Sequence, residues 1–525
     1  MRRCKPWWCW LAILLPPALM GQRVTTPEQR ANHYLETVRR QPSLVLAFLR
    51  EMPKGGDLHN HLGGAVYAES WIRFAAEEGL CVDRASSKLL PAPCDDSCDA
   101  SAGKPAVGCS DHDQQLYDTL VDAWSMRNWE RGHQSGHDHF FATFDKFNLA
   151  TLNHAGESIA DAAQQAAADS VQYLELMHTA DGMSAAQLGA RLGWSGGAKA
   201  ASKDSHMELS APDFAALRDR LLSGGLADMV TMTRQKLDRD ETEVRTRLAC
   251  GTGSAAPGCG VTIRYLYQVL RGLPSEDVFA QMVLGFELAS ADPRFVGLNL
   301  VMPEDWHVPM RDFDLHMKML DYLHGIYPKA HISLHAGELA MGLVPPDGLS
   351  FHIRESIEVG HAERIGHGVD VMNERDSMGL LREMAQHNVL VEICLTSNDV
   401  ILGVKGADHP FPIYRKYGVP VALATDDEGV ARSDMTHEYL RAAETYDLSY
   451  LDLKGMARQS LEHSFLLGAS LWENAHQFRS VTACGVDAAR NSRPSTGCQK
   501  FLDSSEKARL EWQLEEDFAK FEKRF

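Results

Sequence analysis

His331-Ile332-Ser333-Leu334-His335-Ala336-Gly337-Glu338 is the stretch on which the reading of the fold turns. Apolar Ile332 and Leu334 alternate with polar neighbours, the two-residue period of a strand, and the run closes on a histidine before a glycine breaks it. The same form recurs outward in both directions. Strand-like runs follow at 365–367, 389–394 and 420–425, and precede at 295–301, 261–265, 171–177 and around 57–62. Helical patterns at 312–326 and 376–387 separate several of them, and others stand at 67–78 and 155–170. Strands alternating with helices predict a parallel sheet with right-handed crossovers. Eight such strands predict an α/β fold of the (β/α)8 TIM-barrel type.

Around that barrel, which we place at 52–480, the sequence changes character. Residues 1–22 carry Arg2, Arg3 and Lys5 ahead of an apolar run from Trp7 to Met20. The run is too short to span a bilayer, and it reads as a signal peptide cleaved near Gly21. Residues 23–51 read as an N-terminal helical segment with Ala31, Tyr34, Leu35 and Val38 on one face. Two insertions, at about 81–115 and 180–260, are rich in Gly, Ala, Ser and Asp, and 481–525 forms a C-terminal loop and helix.

Cysteine usage agrees with export. Of 11 cysteines, Cys4 and Cys9 fall in the signal segment. Cys250 with Cys259 and Cys484 with Cys498 are local pairs, while Cys81, Cys94, Cys98 and Cys109 allow three connectivities. Cys394 reads as a buried free thiol. The expectation is a periplasmic or extracellular protein with no stable membrane association after cleavage. A net charge of −19 repels phosphate backbones and argues against nucleic acid as a partner.

The polar residues that end the strands carry the chemistry. His59 and His61, two residues apart on one strand, face the same side. His335, His367 and Asp426 each close a later strand, at the end where barrel enzymes keep their active sites. With 23 histidines in the chain an isolated His-x-His means little. Several strands ending in order on such groups mean more. His59, His61, His335 and Asp426 together offer the donors of a catalytic zinc that leaves one position open.

Met52-Pro53-Lys54 with Leu58-His59-Asn60-His61-Leu62 resembles the opening motif of the adenosine deaminases. Four later motifs are similar to theirs: Ser333 to Glu338, Arg364-Ile365-Gly366-His367-Gly368, Cys394-Leu395-Thr396-Ser397-Asn398 and Ala424-Thr425-Asp426-Asp427. The signal segment, leading helix and cysteine-bearing insertion look like the secreted branch, the adenosine deaminase-related growth factors. The resemblance implies one Zn2+ per chain, held by His59, His61, His335 and Asp426. It implies zinc-dependent hydrolysis of a C–N bond in a cyclic amidine: hydroxide made on the metal attacks the purine carbon bearing the amine. The substrate would be adenosine, with 2′-deoxyadenosine also accepted, giving inosine and ammonia. Glu338 would protonate the ring nitrogen, His367 would orient the water and help take its proton, and Asp427 would hydrogen-bond the imidazole-side nitrogen.

Two departures bear on substrate binding. Gly63 stands where relatives place an aspartate for the ribose 5′ hydroxyl. Met302 stands where they place a glycine whose amide meets the purine. The alternatives are a deaminase of another 6-aminopurine compound and a barrel-type binding or signalling protein with weak activity. Gly132-His133 and Gly136-His137-Asp138-His139-Phe140-Phe141 form a further concentration of histidine, read as a solvated loop leading into a core helix, with Phe140 or Phe141 as candidates to stack on a base. His307, His361, His409 and His437 read as structural. A homodimer is one use of the leading helix, and a cap beneath the barrel is the other.

Overall fold

In the computed structural model, residues 26–130, 134–194, 209–485 and 493–525 are described. The expected signal segment and His133 lie outside these residues. Eight parallel strands lie in sequence order in one sheet: Gly55–His61, Val171–His178, Thr262–Leu270, Phe295–Val301, His331–Ala336, Arg364–His367, Leu390–Ile393 and Val421–Leu423. The ring closes just beyond the eighth strand. There the His61 amide donates to the Asp426 carbonyl at 3.1 Å, and the Asp426 amide donates to the His59 carbonyl at 2.8 Å. The chain therefore forms the expected TIM barrel, and its closing pair joins two of the predicted site segments.

Three local expectations need correction. The leading segment is two helices, Pro27–Val38 and Pro42–Glu51. Proline lacks an amide hydrogen and fits the first turn of a helix, so Pro42 starts a second helix and cannot continue the first. The insertion at about 180–260 is not loop throughout, because Ala227–Arg247 forms one long helix. Its mostly polar surface masks the 3.6-residue pattern, with only Thr233, Leu237 and Val244 buried. Phe140 is fully buried beside Trp71, Trp124 and Phe147 in a second core under the first insertion, so it is unavailable to a base.

The leading helices dock on their own chain. Phe48 packs edge-on against Phe521, 4.9 Å away in the C-terminal helix Glu506–Glu522, and Leu35, Val38 and Leu49 are buried in the main core. The first insertion holds a hairpin of Cys81–Asp83 with Lys88–Leu90, and its four cysteines pair as Cys81–Cys94 and Cys98–Cys109. Cys250–Cys259 and Cys484–Cys498 form as expected, and Cys394 is a buried free thiol. Among the described residues no helix is long and apolar enough to cross a membrane.

One buried cation joins these parts. The Lys54 ammonium is wholly buried and donates to the carbonyls of Leu49 at 2.6 Å, Met52 at 3.0 Å and Asp169 at 2.7 Å. It ties the end of the second leading helix to the turn before the second strand. A Lys54→Met variant takes the ammonium from three buried carbonyls, of which that of Leu49 keeps the Met52 amide at 3.2 Å, and should lose roughly 2–4 kcal/mol of unfolding free energy in urea titrations. Burial also lowers the Lys54 ammonium to about 8 from its ordinary 10.5. Between those values the unfolded chain binds the proton more strongly, so this group's contribution to stability rises with pH there. The difference between wild type and Lys54→Met should therefore widen from pH 8 to pH 10. A constant difference would remove the buried ammonium from the account.

Candidate active site

The barrel interior is polar from its floor to the site. Arg364, on the sixth strand and fully buried, donates to Glu175 on the second strand and Glu392 on the seventh, both at 2.6 Å. Its guanidinium lies over the Phe465 ring at 3.8 Å. Glu392 in turn faces the His59 Nδ1 at 2.7 Å and accepts from the Ser333 hydroxyl at 3.0 Å. One cation thus bridges two carboxylates, and one of those carboxylates aims the first histidine upward. Gly366 gives that ring its room, since a Cβ there would stand 2.6 Å from His59 Cε1.

His61 and His335 are aimed in the same manner. The His61 Nδ1 faces the Gln268 Oε1 at 3.1 Å, and the His335 Nδ1 faces the Asn299 Oδ1 at 2.8 Å. The Asn299 oxygen also accepts the His335 amide at 3.2 Å, which fixes the orientation of that side-chain amide. With Nδ1 donating to oxygen, each ring directs the lone pair of Nε2 into one small space. The His61 and His335 Nε2 atoms stand 3.1 Å apart, and the Asp426 Oδ1 is 3.4 Å from the Nε2 of both His59 and His61.

Lone pairs converging at these distances repel one another unless a cation lies between them. A tetrahedral zinc bound at about 2.0–2.1 Å separates its ligand atoms by about 3.3 Å. The donor set and the spacing fit that ion. Charge agrees: burial alone would lower the His59 imidazole, yet Asp426 and Glu392 push it up to about 10, so the pocket calls for positive charge. Burial holds His61 down to about 4 and, with the neighbouring imidazoles, His335 well below its usual value. Asp426, beside three imidazoles, stays well below the ordinary carboxylate range despite its burial.

The remaining predicted residues surround this cluster. His367 is fully buried at the end of the sixth strand, with its Nε2 3.7 Å from the Glu338 Oε1. Burial lowers its imidazole to about 3. Burial and the Asp426 and Glu304 carboxylates raise the Glu338 carboxyl well above its ordinary value. Asp427 is raised in the same direction by burial and Asp426, and its Oδ1 is buried without a hydrogen-bond partner. Gly63 lies just past the first strand, where an added Cβ would meet nothing within 4 Å. Met302 adopts a left-handed backbone, φ 83°, and its side chain turns toward Gly272, where a Cβ would come within 2.7 Å of the Met302 Cε. The space beside Gly272 is how the chain tolerates methionine at this position.

Sequence reasoning left the supporting residues without a role, Gln268 and Asn299 among them, and with them Arg271, Glu304, Arg364 and Glu392. The fully buried Arg271 donates to the carbonyls of His335 and Met302, both at 3.1 Å. Glu304 accepts the backbone amides of Gly337 at 3.1 Å and Glu338 at 2.8 Å, and so shapes the turn that carries Glu338. A lone glutamate within the apolar run Val389-Leu390-Val391-Glu392-Ile393-Cys394 was the available signal for Glu392.

Comparison with known proteins bears on this arrangement. Residues 228–470 match the family model described as adenosine deaminase, a range that includes His335, Glu338, His367, Asp426 and Asp427. The adenosine deaminase of Clostridium perfringens is 33% identical over 135 residues, 26% of this chain and 37% of that protein. The adenosine deaminase of Salmonella dublin is 40% identical over 137 residues, 26% of this chain and 38% of that protein. These matches thus span under two fifths of the curated relatives. The N6-mAMP deaminase of Arabidopsis superposes with a TM-score of 0.50 at 18% identity, covering 80% of this chain and 96% of that one. At that identity the likeness is one of fold.

Glu392 provides a test of the metal centre through a residue that is not itself a ligand. Glu392→Gln keeps the size of the side chain and removes the charge that His59 and Arg364 share. Zinc affinity, measured by competition with a chromogenic chelator, should fall roughly 10- to 100-fold, the range seen when a residue supporting a ligand is altered. Unchanged affinity would separate Glu392 from the metal centre.

Proposed function

We propose that this chain, which is similar to the adenosine deaminases over residues 228–470, hydrolyses adenosine to inosine and ammonia at this site. The observation that carries the reading is the placement of Glu338 and Asp427 at the histidine cluster, two buried carboxyl groups both held toward their neutral forms, the first 3.7 Å from His367 and the second within 4.8 Å of the His61 and Asp426 ligand atoms. Simple amide hydrolysis has no use for two proton-bearing carboxyls around one centre. A purine offers a nitrogen to each.

His59, His61, His335 and Asp426 would hold zinc. When bound, the ion supplies a Lewis acid that makes water nucleophilic at neutral pH. The chain's own groups do the rest. Glu338 gives its proton to the ring nitrogen beside the carbon that bears the amine, so that this carbon accepts the attacking oxygen. His367 faces the same space and orients the attacking water. Asp427 hydrogen-bonds the nitrogen on the imidazole side of the purine and fixes the ring. The proton that the water loses on attack restores Glu338, the remaining proton on the added oxygen passes to the amine, and collapse of the tetrahedral carbon breaks the C–N bond and releases ammonia. A buried site raises the strength of each of these contacts by excluding water.

The sugar side is less constrained. The open space at Gly63, the position matched to the ribose 5′ contact, leaves room for other 6-aminopurine compounds, and we include 2′-deoxyadenosine as a second substrate. Four disulfides support a protein matured in an oxidising compartment, and we assign it to the periplasm or the extracellular space.

The test is direct. Purified protein should hold one zinc per chain by elemental analysis and convert adenosine, followed by the fall in its ultraviolet absorbance. Glu338→Gln should keep the zinc and lose activity by roughly 10²- to 10⁴-fold, the scale of a general acid. Stoichiometric zinc with no turnover of any aminopurine would overturn the deaminase reading. A fully active Glu338→Gln would overturn the role of its proton.

A further inference from the structure

Four imidazoles surround the candidate metal position, and proximity alone does not say which three bind. The ligand atoms of His59, His335, His367 and Asp426 all lie within 4.8 Å of one another, so His367 stands as near as the others. What distinguishes it is the partner of its Nδ1. His59, His61 and His335 each face an oxygen there: Glu392, Gln268 and Asn299. The His367 Nδ1 faces a nitrogen, the Asn398 Nδ2, at 2.9 Å.

The direction of that bond can be traced to a fixed end. The Phe411 backbone N–H, which can only donate, meets the His409 Nδ1 at 3.1 Å. His409 in its neutral form therefore carries its hydrogen on Nε2 and gives it to the Asn398 Oδ1 at 3.0 Å. That assigns oxygen and nitrogen in the Asn398 amide. The Asn398 Nδ2 is then the donor to the His367 Nδ1, and neutral His367 must hold its hydrogen on Nε2. Asn398 and His409 are buried at 0% and 2% exposure, so no bulk water competes for the chain of bonds. The His367 Nε2 has no hydrogen-bond partner within the protein and points to the cluster.

We propose that Asn398 and His409 are positioning residues: they lock His367 in the tautomer with hydrogen on Nε2, which bars it from the metal and makes it a hydrogen-bond donor to the attacking oxygen. The same second set of contacts thus sorts four similar imidazoles, three by an oxygen at Nδ1 and one by an N–H. His409, which the sequence pattern leaves among structural histidines, is the far end of this relay. The catalytic consequence rests on the deaminase reading; the tautomer does not.

Selective ¹⁵N-histidine labelling of the metal-free protein, with the His367 signal identified by its loss in His367→Gln, reads the tautomer through long-range proton–nitrogen correlations near pH 7. The expected result is hydrogen on Nε2 in the wild type. Asn398→Asp replaces the donor with a carboxylate acceptor and should move the hydrogen to Nδ1. His409→Phe should leave the tautomer mixed, and His409→Gln, whose amide can still donate to Asn398, should restore it. In zinc-loaded protein, Asn398→Asp should lower kcat on the order of 10²-fold with KM changed by less than about threefold, the loss expected of a group acting in the transition state. Hydrogen on Nδ1 in the wild type, or a tautomer indifferent to Asn398→Asp, overturns the proposal even if the protein folds and turns over. The expected tautomer in a protein inactive on all aminopurines would uphold the relay and overturn the deaminase reading.

Discussion

Two backbone hydrogen bonds, His61 to the Asp426 carbonyl and Asp426 to the His59 carbonyl, close the barrel, and most of the site follows from them. The eighth strand ends at Leu423, so closure is made by the residues after it, where the chain has already turned toward the mouth. This sets the Asp426 carboxylate against the His59 and His61 rings, from opposite ends of the polypeptide order, without any side-chain contact having to do so. A sheet has edges wherever it stays open, and closing it removes them. In this chain the bond that removes the edge also brings the first and last of the metal-site segments together. Folding and assembly of the site are therefore one event.

The interior beneath the site has a different logic. Arg364, Glu175 and Glu392 are all fully buried, and burying ions costs more than their attraction commonly returns. An apolar set of the same volume would satisfy the barrel. What it would not supply is a charged acceptor at the His59 Nδ1, which holds that ring with Nε2 toward the mouth and raises its basicity as a ligand. Asn299 and Gln268 perform the neutral version of the task for His335 and His61. The polar interior is thus explained by aim rather than by stability, and its cost is offset elsewhere, in the apolar layer between barrel and helices.

How far the sequence could be read follows from this division. Strands buried on both faces leave short apolar runs, and each ends on a polar residue that the core cannot hold, so the eight strands and the residues at their mouths were legible. Groups that act through a backbone amide or a buried neighbour leave weaker traces. Arg364 and Asn398 stood within recognised motifs, yet nothing in their spacing said that one bridges the carboxylates of the floor and the other faces His367. His409 lies eleven residues beyond Asn398, with no periodic relation to it. The helix Ala227–Arg247 escaped because its polar surface carries little hydrophobic rhythm. The pairing of the first four cysteines needed coordinates, since three connectivities satisfy the same spacing.

The backbone at the mouth shows what such aiming demands. Met302, His367 and Asp426 all adopt left-handed φ values, 83°, 68° and 61°, where side chains other than glycine are disfavoured by about 1–2 kcal/mol each. They end the fourth, sixth and eighth strands, or nearly so; His367 and Asp426 face the cluster, and Met302 turns toward Gly272. Aspartate and histidine enter this region more readily than most side chains, methionine does not, and all three lie buried or nearly so at the barrel mouth. Each is held by a bond that over-determines it: Arg271 donates to the Met302 carbonyl, Asn398 donates to His367, and the closing pair clamps Asp426. At Met302 the side chain also needs room, which Gly272 provides. A strand continued in regular geometry would carry these side chains along its own axis and past the cluster. At His367 and Asp426 the left-handed backbone accompanies side chains that face the cluster. The strain at the mouth and the polar clamps around it are therefore two parts of one device, and altering either should disturb the site before it disturbs the barrel.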